Sequence, residues 1–294
     1  MGIPTEGWGY STYKINNGGM RNRGIEITLN SDIIRTKDFT WNATLLYGYN
    51  KNKVTYVNVK APVYYLQLDY PSAYPIIGNS YTGIYGYKWA GLSSTGLPQV
   101  YDETGNKVTH QPSSLDAITY CGTTVPVHSG SFGNTLRFKN VEFSFLLVYN
   151  LGHKMRDTFL PALNNTYSSA VYGYVTDFAP VNKRIRDRWK QAGDELKTNV
   201  PRVVYEYESD YSYDLYSMYS YSDINVINAS NIRLSNLALS YKFPAQVCKL
   251  AHLSNARLQF NVENAYTWAA NSDAKYLLGG YNSPNYVMGV YLNF

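Results

Sequence analysis

The sequence predicts an all-β fold, an antiparallel transmembrane β-barrel wall with one face against lipid. Three observations predict it. Segments of roughly ten residues alternate apolar and polar side chains, the pattern of a barrel strand. In the last of them Tyr286, Met288, Val290, Leu292 and Phe294 share one side of an extended chain, with Val287, Gly289, Tyr291 and Asn293 on the other. That pattern runs to the final residue, and a chain end stays ordered only when it is tied down, so this strand must be paired and must lie in apolar surroundings. Tyrosine occurs 31 times and aromatics reach 16% of residues, while charged residues are also only 16%. That balance suits strands carrying amphipathic rings at an interface better than a helical enzyme.

The same numbers exclude other classes. The net charge of +5 is spread without a Lys/Arg block, so nucleic-acid binding is not indicated. No apolar run approaches the ~18 residues that a transmembrane helix requires. Cys121 and Cys248 stand far apart and read as two independent thiols. His110, His128, His153 and His252 are scattered without ligand spacing, and no Gly-x-Ser-x-Gly or phosphate-cradling loop occurs. The adjacent carboxylates Asp102/Glu103 and Asp194/Glu195 point apart in an extended chain. We therefore expect no catalysis, no metal and no cofactor.

Taken in order, Trp8–Ile15 reads as a short strand, followed by a turn at Asn16-Asn17-Gly18-Gly19. Ile25, Ile27, Leu29 and Ile33 then share one face against Glu26, Thr28 and Asn30, and Arg35–Asp38 is a tight turn. The next strand puts Phe39, Trp41, Ala43, Leu45, Tyr47 and Tyr49 on one face, aromatic at both ends and aliphatic or small between, as expected where rings sit at two headgroup levels. Residues 55–79, with Pro62, Pro71 and Pro75, read as loop, and Ser80–Tyr101 as a glycine-interrupted strand ending in a turn at Asp102–Asn106. Residues 107–133 read as loop, Leu136–Asn150 as one long strand, and Arg156–Asp223 as the longest interval without strands. Val226–Phe243, stopped by Pro244, and Ala256–Trp268 complete the set before the closing strand. About eight strands result. Their short and long connections alternate except at 102–133, which favours a barrel with one loop-bearing end over a sandwich.

Several stretches carry a resemblance. They are Asn17-Gly18-Gly19-Met20-Arg21-Asn22-Arg23-Gly24-Ile25-Glu26, Phe39-Thr40-Trp41 running on to Asn50-Lys51-Asn52-Lys53-Val54, and Gly86-Tyr87-Lys88-Trp89-Ala90-Gly91. Further on come Asp116 to Gly122 with Pro126, Arg188-Trp189-Lys190-Gln191-Ala192-Gly193-Asp194-Glu195, and Ile232 through Leu237-Ala238-Leu239 to Pro244. In this order they resemble the C-terminal part of SusC/RagA-type TonB-dependent outer-membrane transporters over nearly the whole chain, and Phe294 resembles the family's assembly signal. The resemblance implies a barrel of about 22 strands in the bacterial outer membrane, closed by an N-terminal plug and energised by the TonB complex. It also implies a SusD-like surface lipoprotein as partner and oligosaccharides, sometimes peptides, as cargo. Residues 1–294 then read as roughly the last third of that barrel, with the plug and signal peptide outside them. A secreted carbohydrate-binding β-sandwich is the competing expectation.

Two loop features stand out. Arg188-Trp189 with Gly193-Asp194 reads either as internal packing, the indole buried and Arg188 paired, or as a contact for the lipoprotein or the substrate. Tyr205, Tyr207, Tyr211, Tyr213, Tyr216, Tyr219 and Tyr221 interleave with carboxylates. Flat rings with hydroxyls suit sugar stacking, and they equally suit a rigid packed loop. The candidate contact residues are Arg188, Trp189, Tyr211, Tyr213, Tyr216 and Tyr219.

Overall fold

A computed structural model describes residues 18–158, 160, 183–205, 207–212, 214–278 and 283–294. Within them β1 (Gly18–Arg35) and β2 (Phe39–Val57) form the first long hairpin. Five short strands follow in one connection: β3 (Gly83–Tyr87), β4 (Trp89–Leu92), β5 (Pro98–Tyr101), β6 (Lys107–Val108) and β7 (Ile118–Thr123). A second hairpin, β8 (His128–Phe138) and β9 (Val141–Leu151), leads to the short β10 (Lys154–Arg156), which pairs with β11 (Val226–Asn228). The chain ends with β12 (Asn231–Lys242), β13 (Asn255–Ala269) and β14 (Asn285–Asn293).

The long strands make one seven-stranded sheet in the order β1-β2-β8-β9-β12-β13-β14, every pair antiparallel. Each strand therefore pairs with the next long strand along the chain. Among the described residues the sheet is open: β1 and β14 each pair on one side only.

Register makes its two faces unlike. One row runs Leu29, Leu45, Phe132, Leu147, Leu234, Tyr266 from β1 to β13. Another runs Trp41, Leu136, Phe143, Leu239, Phe260, Met288 from β2 to β14. The apolar face is thus continuous across the sheet, and Leu29, Leu239, Phe260 and Met288 on it are exposed. No second sheet covers it among the described residues, which is the covering a sandwich requires. The opposite face holds Glu26, Thr28 and Asn30 as expected, together with Arg233, Gln259 and Glu263, with Leu46, Leu146 and Val148 as apolar exceptions.

Several polar atoms on the apolar face find partners within the sheet, although the Asn134 amide nitrogen has none among the described residues. The Trp41 indole donates to Asn134 Oδ1 at 2.9 Å, and the Tyr47 hydroxyl and His128 Nδ1 lie 2.9 Å apart. Gly130 sits between Tyr47 and Tyr149 in the register. A Cβ there would run into the Leu46 carbonyl and the Tyr149 ring, so its bare backbone is what lets Tyr149 cross over and donate to Leu46 O at 2.9 Å.

The structure corrects several sequence expectations. Ser80–Tyr101 is not a wall strand; it supplies β3, β4 and β5 away from the long sheet. Leu136–Asn150 is two strands, because Lys139 takes a positive φ of 50° and turns the chain at Lys139-Asn140. Its partner β8 starts at His128, inside the stretch expected to be loop. Gly18 and Gly19 belong to β1, paired with Val57 and Tyr56, instead of a turn. Val226–Phe243 divides into β11 and β12, and Trp8–Ile15 lies outside the described residues. These changes remove the irregular connection at 102–133. One end of the sheet carries only short links, at 36–38, 139–140 and 243–254, and the other carries the connections 58–127, 152–230 and 270–284.

Candidate functional site

The long connections pack together above the loop-bearing end as a cap. Its core is Leu68, Tyr85, Tyr87, Leu97, Val100, Val204, Leu215 and Met218, drawn from the first and second connections, with Tyr87 and Met218 fully buried. Two arginines join what the chain separates. Arg156, on β10, donates to Tyr85 O at 2.5 Å and Ser220 O at 3.2 Å and lies over the Tyr221 ring, whose hydroxyl bonds Asp69. Arg184 bridges Asp157 at 2.6 Å and Asp273 at 2.5 Å, and so ties the second connection to the third. Neither arginine had a sequence signal, because their partners are carbonyls and acids dozens of residues away.

Burial sets the cap's electrostatics. Removal from water pushes the Tyr219 and Tyr221 hydroxyls up to about 12 and raises Tyr87 further, so all three stay neutral donors. Burial also pushes the Cys121 thiol up to about 11, which keeps it an inert thiol at neutral pH.

The predicted contact residues fall into this framework. Arg188 is half-buried and donates to Ile185 O at 2.9 Å. Trp189 donates from its indole to Glu195 Oε2 at 3.0 Å and from its backbone to Val200 O at 2.9 Å. Its ring lies on Gly96, whose φ of 78° and missing Cβ make room for it. Tyr211 packs against the cap core, Tyr216 is half-buried, and Tyr219 is buried edge-on to Trp89 at 5.7 Å between ring centroids. Tyr213 lies outside the described residues. Tyr205 and Tyr207 instead form a stacked pair 5.5 Å apart, with Tyr207 78% exposed. The Tyr205 loop is held by Glu208, which accepts from Tyr205 N at 2.9 Å and Arg202 Nη1 at 2.5 Å.

Where cap and sheet meet, a cavity of about 390 Å³ opens beside the polar face. Asn22, Asn50 and Asn52 line it from β1 and β2, Ser80, Thr82 and Thr123 from the first connection, and Lys154 from β10; Lys51 borders it too. Among the described residues no carboxylate lines it. Amides and hydroxyls of this kind can hydrogen-bond a hydroxyl- or amide-bearing solute. Among the described residues no group of three or more His, Cys, Asp or Glu could hold a metal ion, and no helix is long and apolar enough to cross a membrane.

Fold and cap together define a class: an up-and-down antiparallel wall, apolar on one face and polar on the other, capped at one end by loops. Relatives of that class are found. The chain is 27% identical over 289 residues to TonB-dependent receptor P26 of Formosa agariphila, and 23% identical over 295 residues to TonB-dependent receptor P3 of the same organism. These alignments cover 89% and 91% of the chain but 26% of each relative, so the chain spans only a quarter or so of their length. Among solved structures, the RagAB peptide transporter matches with a TM-score of 0.70 at 22% identity, over 100% of this chain and 31% of that one. The RagAB peptide importer in its open-open state matches at 0.68 and 21% identity. No protein-family model matches the chain. The resemblance to TonB-dependent receptors therefore extends over nine-tenths of the sequence, and these relatives are receptors and transporters, not enzymes.

Proposed function

We propose that residues 1–294 are the C-terminal part of the β-barrel of a bacterial outer-membrane TonB-dependent importer. The seven-stranded sheet is its wall, the apolar face meets lipid, the polar face meets the lumen, and the cap stands on the extracellular side. The observation that carries this reading is the apolar face itself, continuous across the strands and exposed. Outside lipid such a face would be a large unprotected patch. Its strands are long enough: from Trp41 to Tyr49 the chain rises about 26 Å at ~3.3 Å per residue, close to the height of a barrel's apolar band.

The cargo in this reading is an oligosaccharide or a peptide, received with a SusD-like surface lipoprotein, with energy arriving from TonB through a plug. The amide- and hydroxyl-lined cavity and the exposed Tyr205–Tyr207 pair support solute contact from the cap. Arg188, Trp189, Tyr211, Tyr216 and Tyr219 serve that contact from within, by fixing the surface the cap presents; Tyr213 is proposed with them from sequence alone. Expression of the intact protein with its native export signal, followed by membrane fractionation, tests the assignment. Recovery in the outer-membrane fraction, released only by detergent, is expected. A folded monomer that is soluble without detergent would overturn it.

A further inference from the structure

Resting on that reading of the wall, we propose that Arg21, Arg23, Lys51 and Lys53 form a binding site for the phosphate of an anionic lipid headgroup at the extracellular rim of the barrel's outer face.

The register sets the four side by side. Arg23 lies opposite Lys51 and Arg21 opposite Lys53, directly above the pair Ile25–Tyr49 in which the apolar face ends. Side chains directly opposite in an antiparallel ladder are ~5 Å apart at Cβ, and successive pairs on one face ~7 Å apart, so four cations share a patch that one or two phosphates can span. Like charges placed directly opposite destabilise a sheet unless something offsets them. Nothing within the described chain does: all four are exposed, and no ion pair reaches any of them.

The opposite rim differs on this face. By register its outer side carries the apolar Ile34, Trp41, Leu136, Phe143 and Leu239. Its charged residues, the ion pairs Arg35–Asp32 at 3.6 Å and Arg137–Glu142 at 2.5 Å and the opposed Lys242 and Arg257, lie on the polar face. A cluster of unpaired cations just beyond an apolar band matches the layering of a lipid that carries phosphate above its acyl chains. Arginine adds forked donors that fit phosphate oxygens two at a time. The headgroup is favoured over free phosphate because Ile25 and Tyr49, next in the ladder, offer acyl chains a surface that inorganic phosphate cannot use.

The test is lipid binding by the intact protein in detergent, read by native mass spectrometry. The probes are diphosphoryl lipid A, monophosphoryl lipid A, phosphatidylethanolamine and inorganic phosphate. The two lipid A forms should bind and weaken as NaCl is raised, with phosphatidylethanolamine and inorganic phosphate at least about tenfold weaker. Replacing all four residues by Gln should weaken lipid A binding about tenfold or more. The charge-preserving set Arg21→Lys, Arg23→Lys, Lys51→Arg and Lys53→Arg should hold it within about threefold. Unchanged, salt-independent lipid A binding by a folded Gln variant would overturn the proposal, as would equal competition by inorganic phosphate. A protein in the outer-membrane fraction whose Gln variant binds lipid A normally defeats this site and leaves the transporter reading standing. A soluble protein defeats both.

Discussion

The wall and the cap handle apolar surface in opposite ways. The wall turns it outward: on β14, Met288 is 69% exposed and Val290 60%. The cap turns it inward, with Tyr85, Tyr87 and Tyr219 at 3% exposure or less. Tyrosine serves both regions, as rim rings such as Tyr47 and Tyr49 on the wall and as buried neutral donors in the cap. The wall is held by long ladders between neighbouring strands, whereas the cap combines short ladders and a small buried core with a few side chains that reach across connections. The wall should therefore tolerate most changes that keep its alternation, and the cap should depend on single residues.

The largest effect that would break this comparison is a charge on the wall. Leu29→Arg on the apolar face should cost about 2–4 kcal/mol if that face is in lipid, read as loss of folded protein from the outer-membrane fraction. The same change at Leu196, 89% exposed on the cap, should leave folding unaltered. Next is Arg156→Met, which removes two charge-assisted donors and the contact with Tyr221. It should cost about 2–3 kcal/mol, confined to the cap: amide exchange should speed up at Tyr85–Tyr87 and stay unchanged along β9 and β12.

Gly96→Ala forces a Cβ into the Trp189 indole at a positive φ. A loss of about 1–3 kcal/mol is expected, visible as a red shift and quenching of tryptophan emission. The smallest effect is in pH. The Tyr205 N–H first, then Arg202, hold the Glu208 carboxyl below its ordinary 4.5. The restraint on this loop is therefore complete above pH 4.5 and is lost as pH falls through the lowered value. Limited proteolysis near Tyr207 should accelerate only in that acidic window.

How much could be read from the sequence also divides along this line. Wall strands were legible where alternation was strong, as in β1, β2, β13 and β14. β8 was not, because His128-Ser129-Gly130-Ser131-Phe132-Gly133 has too few apolar side chains to show a period; Gly130 is there to make room for Tyr149, which only the fold reveals. The β8–β9 turn was hidden because Lys139-Asn140 lacks glycine and proline; its one trace is a shift in the phase of the alternation, from Leu136 and Phe138 before it to Val141, Phe143 and Phe145 after it. In the cap, the Arg188–Trp189 motif stood out and its packing partners could be guessed as a type. Gly96 as the seat of the indole, and the bridges from Arg156 and Arg184, could not, since they join residues far apart in the chain with no shared period.

The central claim is that the alternation along the wall separates lipid from lumen, and β14 tests it most directly. Single nitroxide labels at positions 286–292 of the intact protein in lipid bilayers report accessibility to oxygen and to a water-soluble nickel complex. Oxygen should dominate at Tyr286, Met288, Val290 and Leu292, and nickel at Val287, Gly289 and Tyr291, with a period of two along the strand. Uniform accessibility to the nickel complex at all seven positions would contradict the account.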